Sequence, residues 1–165
     1  MLIKRLVKPG QTVLDIGAQT GFYSLMMADI VGPTGQVIAF EPTDRCFDLL
    51  NKNVAENNVS DIVQTHQLAC AEQSGAISVD FTSGIVDASS DGSYDVPAIR
   101  IDDLCWEEVT FCKIDVEGHE PAAVRGMVEL IANCSPILLS EVNAYWLNQS
   151  GSSSEEYITL LKNYG

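Results

Sequence analysis

The sequence is poor in basic residues and contains no long apolar run. Lys and Arg together number 9 against 23 Asp and Glu, so the formal net charge is −14. A field of this sign repels nucleic-acid phosphates and anionic lipid surfaces. No apolar run approaches the roughly 20 residues that cross a bilayer. The composition therefore disfavours both a nucleic-acid partner and a membrane role.

The cysteines show no motif. The five cysteines are an odd number, and no two are spaced as Cys-x-x-Cys. This pattern disfavours a disulfide framework and a cysteine-based metal cluster. The first residues also lack the long apolar segment of a secretory signal, so we expect reduced thiols and a cytoplasmic protein. Cys70 and Cys112 lie in apolar runs, where we expect them to be buried.

Apolar runs of strand length alternate with amphipathic helical stretches along the chain. This alternation predicts an α/β fold in three layers, a doubly wound and mostly parallel sheet between helices, in a single domain over residues 1–165. The predicted strands are Thr12–Ile16, Gln36–Phe40, Ile62–Ala69, Thr110–Val116 and Ile137–Glu141. The predicted helices are Gly21–Val31, Thr43–Asn57, Glu120–Ala132 and Ser154–Asn163.

The alternation changes between Ala71 and Asp103. Ala76–Phe81 and Pro97–Ile101 have the pattern of short extra strands around a loop rich in Ser, Gly and Asp, Thr82–Tyr94. Ligands of open α/β sheets bind outside the carboxyl ends of the strands, so we expect this loop to overhang the crevice and help to select the substrate. The chain stops soon after a helical stretch. Because sheets of this type continue further, we expect a C-terminally incomplete sheet.

A glycine turn, DIGAQTG at residues 15–21, follows the first predicted strand. Its backbone N–H groups can bind an anion and Asp15 can hold an ammonium, which suits a cofactor with an amino-acid end. A dinucleotide fingerprint needs glycine at position 19, where this chain has Gln, so an NAD-linked reductase is disfavoured. The alternative is that Gly17 and Gly21 only permit a tight strand-to-helix turn.

Glu41 ends the second predicted strand, and Pro42 then leads the chain out of it. A carboxylate at this place can accept both hydroxyls of a ribose. The alternative is an exposed Glu that caps the following helix. Since Glu41 comes after the glycine turn, ribose binding is favoured, and our hypothesis is an S-adenosylmethionine site.

The segment FCKIDVEGHE, residues 111–120, runs from an apolar strand into Asp115, Glu117, His119 and Glu120. In a doubly wound sheet this strand lies beside the first, so its acids face the same crevice as Asp15. Methyl transfer from a sulfonium is an in-line displacement, and a hydroxyl nucleophile benefits from a general base. Asp115 and His119 are the candidate bases, and Glu117 is the candidate orienter or substrate ligand. Alternatively, Glu117 and Glu120 only place favourable charge at a helix N-terminus, which is the preferred interpretation for Glu120.

Glu141 also follows a predicted strand. With Asp115 and Glu117 it would offer an oxygen-rich site for Mg²⁺ or a similar hard cation. Clustered carboxylates alone are weak support, so the need for a metal stays open. The other histidine, His66, lies in an apolar strand and is interpreted as structural.

Four segments of the chain carry a family resemblance: VLDIGAQTGFYSL, VIAFEP, Asp102-Asp103-Leu104 and KIDVEGHE followed by Arg125-Gly126. The last of these is the most specific to one family. With them the chain resembles the FkbM-type methyltransferases, a branch of the class I S-adenosylmethionine-dependent family, over residues 7–165. The resemblance implies a seven-stranded Rossmann-like fold, of which we expect the last two strands to be missing here, and O-methylation of sugars or other secondary-metabolite hydroxyls. The implied cofactor-binding residues are Asp15, Gly17, Ala18, Gly21 and Glu41. Those implied to line the reacting centre are Asp115, Glu117 and Glu141.

Two functions remain in competition. The first is an O-methyltransferase that acts on a small hydroxylated substrate. The second is a cofactor- or nucleoside-binding unit without competent chemistry, which needs a partner or a second copy to complete its sheet.

Overall fold

The computed structural model describes residues 2–80, 84–85, 94–104, 106 and 108–164. The strands are β1 (Thr12–Ile16), β2 (Gln36–Phe40), β3 (Val63–His66), β4 (Ala69–Cys70), β5 (Gly75–Asp80), β6 (Gly84–Ile85), β7 (Tyr94–Ile99), β8 (Val109–Ile114) and β9 (Ile137–Ser140). The α-helices are α1 (Ile3–Leu6), α2 (Phe22–Val31), α3 (Asp44–Glu56), α4 (Glu120–Arg125), α5 (Val128–Cys134), α6 (Ala144–Gln149) and α7 (Ser154–Lys162). Among the described residues, no helix is both long and apolar enough to cross a membrane.

The central sheet has five parallel strands in the order β3-β2-β1-β8-β9. Val13–Ile16 of β1 and Val37–Phe40 of β2 are buried without a break. Unbroken burial is expected of parallel strands that are covered on both faces. The prediction of an α/β fold with a parallel sheet is therefore confirmed, and the bounds of β1 and β2 are those that the sequence predicted.

Alternate residues of these strands enter two different cores, which makes the three layers. On one side, Leu14 and Ile16 pack with Met127, Leu147 and Tyr157. On the other side, their neighbour Val13 packs in a core built from α1, α2 and α3, with the members Ile3, Met27, Val31, Leu50 and Val54. Because successive side chains of a strand point to opposite faces, the sheet is the middle layer.

The segment after β3 builds a second sheet, in the order β4-β7-β5-β6. The predicted strand Ile62–Ala69 is wrong in extent: β3 stays in the central sheet, whereas β4 pairs with β7. The predicted extra strands correspond to β5 and β7, which pair antiparallel. The predicted loop Thr82–Tyr94 contains β6, which pairs with β5. Tyr94 begins β7, and the remaining residues of that predicted loop lie outside the described ranges.

The predicted helix Glu120–Ala132 is also wrong, because two helices, α4 and α5, replace it. A Cβ at Gly126, between them, would lie 2.0 Å from the backbone oxygen of Ala71. The buried Asp102 carboxylate then accepts the backbone N–H groups of Glu129 and Leu130, at 3.0 and 2.9 Å. Glycine therefore occupies the position between the helices, and the Asp102 carboxylate caps the start of α5. The other three predicted helices match α2 and α7 to within one residue at one end and α3 to within one residue at each end, whereas α1 and α6 were not among the predicted helices.

Cys70 and Cys112 are buried free thiols, as expected, and burial raises the pKa of both.

Asp102→Ala is expected to lower the free energy of unfolding by about 1–3 kcal/mol, because the start of α5 loses its buried acceptor. Asp102 also accepts from Arg100 at 3.0 Å. The control is Asp103→Ala, which removes the neighbouring carboxylate, 46% exposed and 3.6 Å from the same guanidinium. Its expected loss is below about 1 kcal/mol. Urea unfolding measures both, and equal losses would contradict the capping role.

Candidate functional site

The carboxyl ends of the parallel strands meet at one edge of the central sheet. Beyond β1, the N–H groups of Gly17 and Ala18 both donate to Phe40, at 3.0 and 2.9 Å. Beyond β8, the N–H of Asp115 donates to Ile16 at 3.1 Å, and beyond β9 that of Glu141 donates to Ile114 at 3.1 Å. The loops after these strands are thus held together by backbone hydrogen bonds. The predicted convergence of acids on one sheet edge is confirmed.

A buried lysine joins the first two of these loops to each other. Lys113, on β8, is 5% exposed, and its Nζ donates to the backbone oxygen of Gly17 at 2.7 Å. The same Nζ lies 3.3 Å from Asp15 Oδ1 and 3.6 Å from Asp115 Oδ2. It also lies 5.3 Å from the centre of the Tyr23 ring, within the range of a cation–π contact. One cation therefore holds together the glycine turn, the acid of β1 and the acid that follows β8.

Sequence reasoning assigned no role to Lys113, although a signal was present. Lys is almost never fully buried unless it is paired, and this one interrupts the apolar residues of a central strand. A charged residue at such a place implies an acid of a neighbouring strand as its partner. Asp15 is that partner.

Asp15 itself has no exposed surface. Its Oδ2 accepts a hydrogen bond from the Ser24 hydroxyl at 2.6 Å, and Oδ1 forms the ion pair with Lys113 without hydrogen-bond geometry. A direct contact between Asp15 and an ammonium, as the sequence suggested, would require the Ser24 or Lys113 side chain to move. In this structure Asp15 acts on the site through those two side chains.

Glycine is required at position 17 by a close approach. Gly17 has a φ of +78°, and a Cβ there would lie 2.0 Å from the backbone oxygen of Asp115. The interpretation of Gly17 as a residue of a tight turn therefore holds, and the turn also seats the loop after β8. Gly21 is the N-cap of α2, and Ala18 is buried between these two glycines. Gln19 takes a left-handed conformation, with a φ of +48°, and its N–H points to Glu41.

Glu41 is 4% exposed, which contradicts the alternative of an exposed capping residue. Its Oε2 accepts the N–H of Gln19 at 2.9 Å, and its Oε1 accepts the N–H and the hydroxyl of Thr43 at 3.0 and 2.5 Å. Thr43 is the N-cap residue of α3, but its hydroxyl donates to Glu41 and makes no capping hydrogen bond to the helix. A carboxylate has about four acceptor positions, so three are occupied and one is free; a second ligand hydroxyl would have to share or replace one of the three.

The loops after β8 and β9 bring acids together on the other side of Lys113. One carboxylate oxygen from each of Asp115, Glu120 and Glu141 lies within 4.8 Å of the other two. The sequence suggests Glu117 as the third acid and favours Glu120 as a charge at a helix start. Glu120 is indeed the first residue of α4, but its side chain is also buried and belongs to this group.

The pKa values of two nearby acids are raised. Burial raises the pKa of Glu117, and the charges of Glu141 and Asp115 raise it further. Burial and the charges of Asp115 and Glu120 raise the pKa of Glu141. Glu117 also takes a left-handed conformation, with a φ of +51°. These acids are close enough to repel one another.

The two histidines occupy different places. His119 is the N-cap of α4 and is half-buried at the acid-rich edge. His66 ends β3 and stacks on Phe40 with the ring centres 5.1 Å apart, and burial lowers its pKa. The packing of His66 agrees with its interpretation as structural.

A family model for the methyltransferase FkbM domain matches residues 15–165. The chain belongs to this family. FkbM proteins are S-adenosylmethionine-dependent methyltransferases, so the family resemblance inferred from the four segments is confirmed.

Curated relatives share only part of their length with this chain. Arsenite methyltransferase of Halobacterium salinarum is 39% identical over 54 residues, 33% of this chain and 14% of that protein. The rRNA 2'-O-methyltransferase fibrillarin of Neurospora crassa is 46% identical over 59 residues, 35% of this chain and 18% of that protein. The crystal structure of a methyltransferase FkbM from Methylobacillus flagellatus shares the fold, with a TM-score of 0.66 and 19% identity. That match covers 97% of this chain and 42% of the other, so this chain spans less than half the length of each of these three proteins.

Lys113→Met is expected to lower the free energy of unfolding by about 3–5 kcal/mol, because Asp15 is left as a buried carboxylate without a cation. The control is Lys52→Met, which breaks an exposed pair with Glu56, 3.8 Å long, and should cost below about 0.5 kcal/mol. Adding Asp15→Asn to Lys113→Met should recover part of the loss, since it removes the unpaired charge. Urea unfolding of the four proteins tests this, and similar losses for the two lysine variants would contradict the bridging role.

Proposed function

We propose that this chain binds S-adenosylmethionine at the edge formed after β1, β2 and β8, and that it methylates a hydroxyl of a small molecule, such as a sugar or another secondary metabolite. The observation that carries the proposal is the Glu41 carboxylate, which is held against the glycine turn by the N–H of Gln19. The acid-rich edge after β8 lies next to that turn, because Lys113 contacts both. Adjoining loops can therefore bind a nucleoside and form a reacting centre.

The cofactor fits the donors and acceptors of this edge. Glu41 accepts from the ribose hydroxyls, using its free acceptor position and the one that Gln19 now occupies. The turn from Gly17 through Ala18 to Gly21 lets the chain approach the ligand closely at the start of α2. Asp15 takes part by holding Lys113 and Ser24 in place.

The remaining groups serve the methyl acceptor. The bound cofactor supplies an electrophilic methyl group on a sulfonium sulfur. Asp115, Glu117, His119 and Glu141 surround the place where the acceptor hydroxyl is oriented in line with it. With the cofactor bound, the acceptor oxygen would take the methyl group from the sulfonium sulfur, which would be left as a neutral thioether, and Asp115 or His119 would take the hydroxyl proton. The raised pKa values of Glu117 and Glu141 make these carboxylates stronger bases than usual, which favours help in the proton transfer.

The charge of the chain supports a small acceptor. A formal net charge of −14 opposes the approach of RNA. One relative is named for rRNA and another for arsenite, and each matches about a third of this chain, so they do not decide the acceptor. The competing function is a cofactor-binding unit that needs a partner or a second copy. It is favoured by the edge strand β9, where Ile137 is 46% exposed.

Glu41→Ala is expected to weaken cofactor binding by about 1–3 kcal/mol, since charge-assisted hydrogen bonds to the ribose are lost. The control is Glu56→Ala, which removes an exposed carboxylate at the far end of α3. Calorimetric titration with S-adenosylmethionine and with its demethylated product measures the affinities. Unchanged affinity of the Glu41 variant would refute the ribose contact.

Formation of the demethylated cofactor is expected with small hydroxylated acceptors, sugars first, and not with ribosomal RNA fragments. Glu41→Ala should slow the reaction through weaker cofactor binding, whereas Glu56→Ala should behave as the parent chain. Product release is followed by mass spectrometry. Binding without transfer to any acceptor would favour the cofactor-binding unit, and transfer to RNA would contradict the small-molecule assignment.

A further inference from the structure

Three acids from three different elements converge beside the site described above. Asp115 directly follows β8, Glu120 begins α4, and Glu141 directly follows β9. One carboxylate oxygen from each lies within 4.8 Å of the others. Acids gathered in this way repel one another and also occur in proteins without a ligand, so their meaning depends on how each one is held.

Glu120 is held in a way that leaves one oxygen unused. The residue is 1% exposed, and its Oε1 accepts the N–H groups of Val116 and Gly118 at 2.9 and 3.2 Å. Its Oε2 is also buried and accepts no hydrogen bond from any described residue. Buried polar groups nearly always have a partner, because an unpaired one loses its hydration without compensation. The loop thus fixes the carboxylate while one oxygen lacks a donor or a cation.

The nearby lysine does not neutralise the group. Lys113 Nζ is 3.6 Å from Asp115 Oδ2, but it is closer to Asp15 Oδ1 and to the oxygen of Gly17. Its charge is balanced by the fully buried Asp15. The three acids therefore keep an excess of negative charge.

The separation of the oxygens suits one ion placed between them. Oxygen ligands on opposite sides of Mg²⁺ are about 4.2 Å apart, and those of Ca²⁺ are up to about 5.2 Å apart. Carboxylate oxygens without nitrogen or sulfur are the ligands of hard cations. Glu141 is exposed and Asp115 is partly exposed, so the solvent side stays open for water or another oxygen ligand.

We propose that Asp115, Glu120 and Glu141 form a binding site for a divalent hard cation, with Glu120 as the buried anchor. Glu120 Oε1 fixes the loop, and Oε2 takes the cation as its missing partner. The cation neutralises the group and offers its open positions to oxygen ligands. That these ligands include the methyl acceptor rests on the proposed function, whereas binding of the cation does not.

The test titrates the chain, without cofactor, with Mg²⁺, Mn²⁺ and Ca²⁺ in separate calorimetric experiments. The expected result is one saturable site for at least one of the three ions. Glu120→Gln keeps an oxygen that can accept from the loop N–H groups but loses the charge, and we expect at least a tenfold weaker affinity. Glu141→Gln, at an exposed position, should show a loss of the same kind and carries the test if the Glu120 variant does not fold. Glu56→Gln is the control of equal charge change and should bind as the parent chain does.

Two results would overturn the cation site. One is the absence of saturable binding up to about 10 mM of all three ions, beyond the weakest calcium sites of proteins. The other is binding that neither Glu120→Gln nor Glu141→Gln weakens relative to Glu56→Gln. Cofactor affinity is titrated in parallel without metal, so that failure of the cation site and failure of the proposed function are separate outcomes.

Discussion

The site depends on the burial of one positive charge. Lys113 sits in the middle of the sheet edge, with the backbone oxygen of Gly17, the carboxylate of Asp15 and the carboxylate of Asp115 around its ammonium. A buried ammonium is costly unless it is paired, so this contact fixes how β1 and β8 lie against each other beyond their last backbone pairs. The Lys113 contacts thereby position the glycine turn on one side and the acids on the other. The sequence suggests Asp15 as a residue that contacts the ligand, but in the structure Asp15 is fully buried and forms the ion pair with Lys113.

The same edge has two chemically different halves. Around Glu41, two backbone N–H groups and a hydroxyl occupy most acceptor positions of the carboxylate. These hydrogen bonds fix the carboxylate in place as a preformed acceptor for a polar ligand. Around Asp115 and Glu141, carboxylates face one another with little compensation, and burial together with the charges of neighbouring acids raises the pKa of Glu117 and Glu141. A preformed half suits the binding of a nucleoside. The half with the clustered acids suits proton transfer or cation binding, since acids with perturbed pKa values are concentrated at functional sites.

The sequence predicts most of what depends on local pattern. The bounds of β1 and β2, the buried Cys70 and Cys112 and the convergence of Asp15, Glu41 and Asp115 all follow from apolar runs and from the geometry of parallel sheets. What it missed depends on contacts between distant segments. The first helix ends at Gly126, where the backbone of Ala71 leaves no room for a side chain, and α5 starts on a carboxylate from Asp102. Glu120 could not be distinguished from Glu117, because the turn at Val116 and Gly118 decides which of the two is fully buried and which is only partly buried.

We expect a single cofactor molecule to lie across both halves of this edge. The decisive experiment is a crystal structure of the chain soaked with the demethylated cofactor. The expected result is ribose hydroxyls on the Glu41 carboxylate, the amino-acid end over the glycine turn, and the sulfur directed toward Asp115. A cofactor bound elsewhere on the chain, or one whose ribose leaves Glu41 untouched, would contradict it.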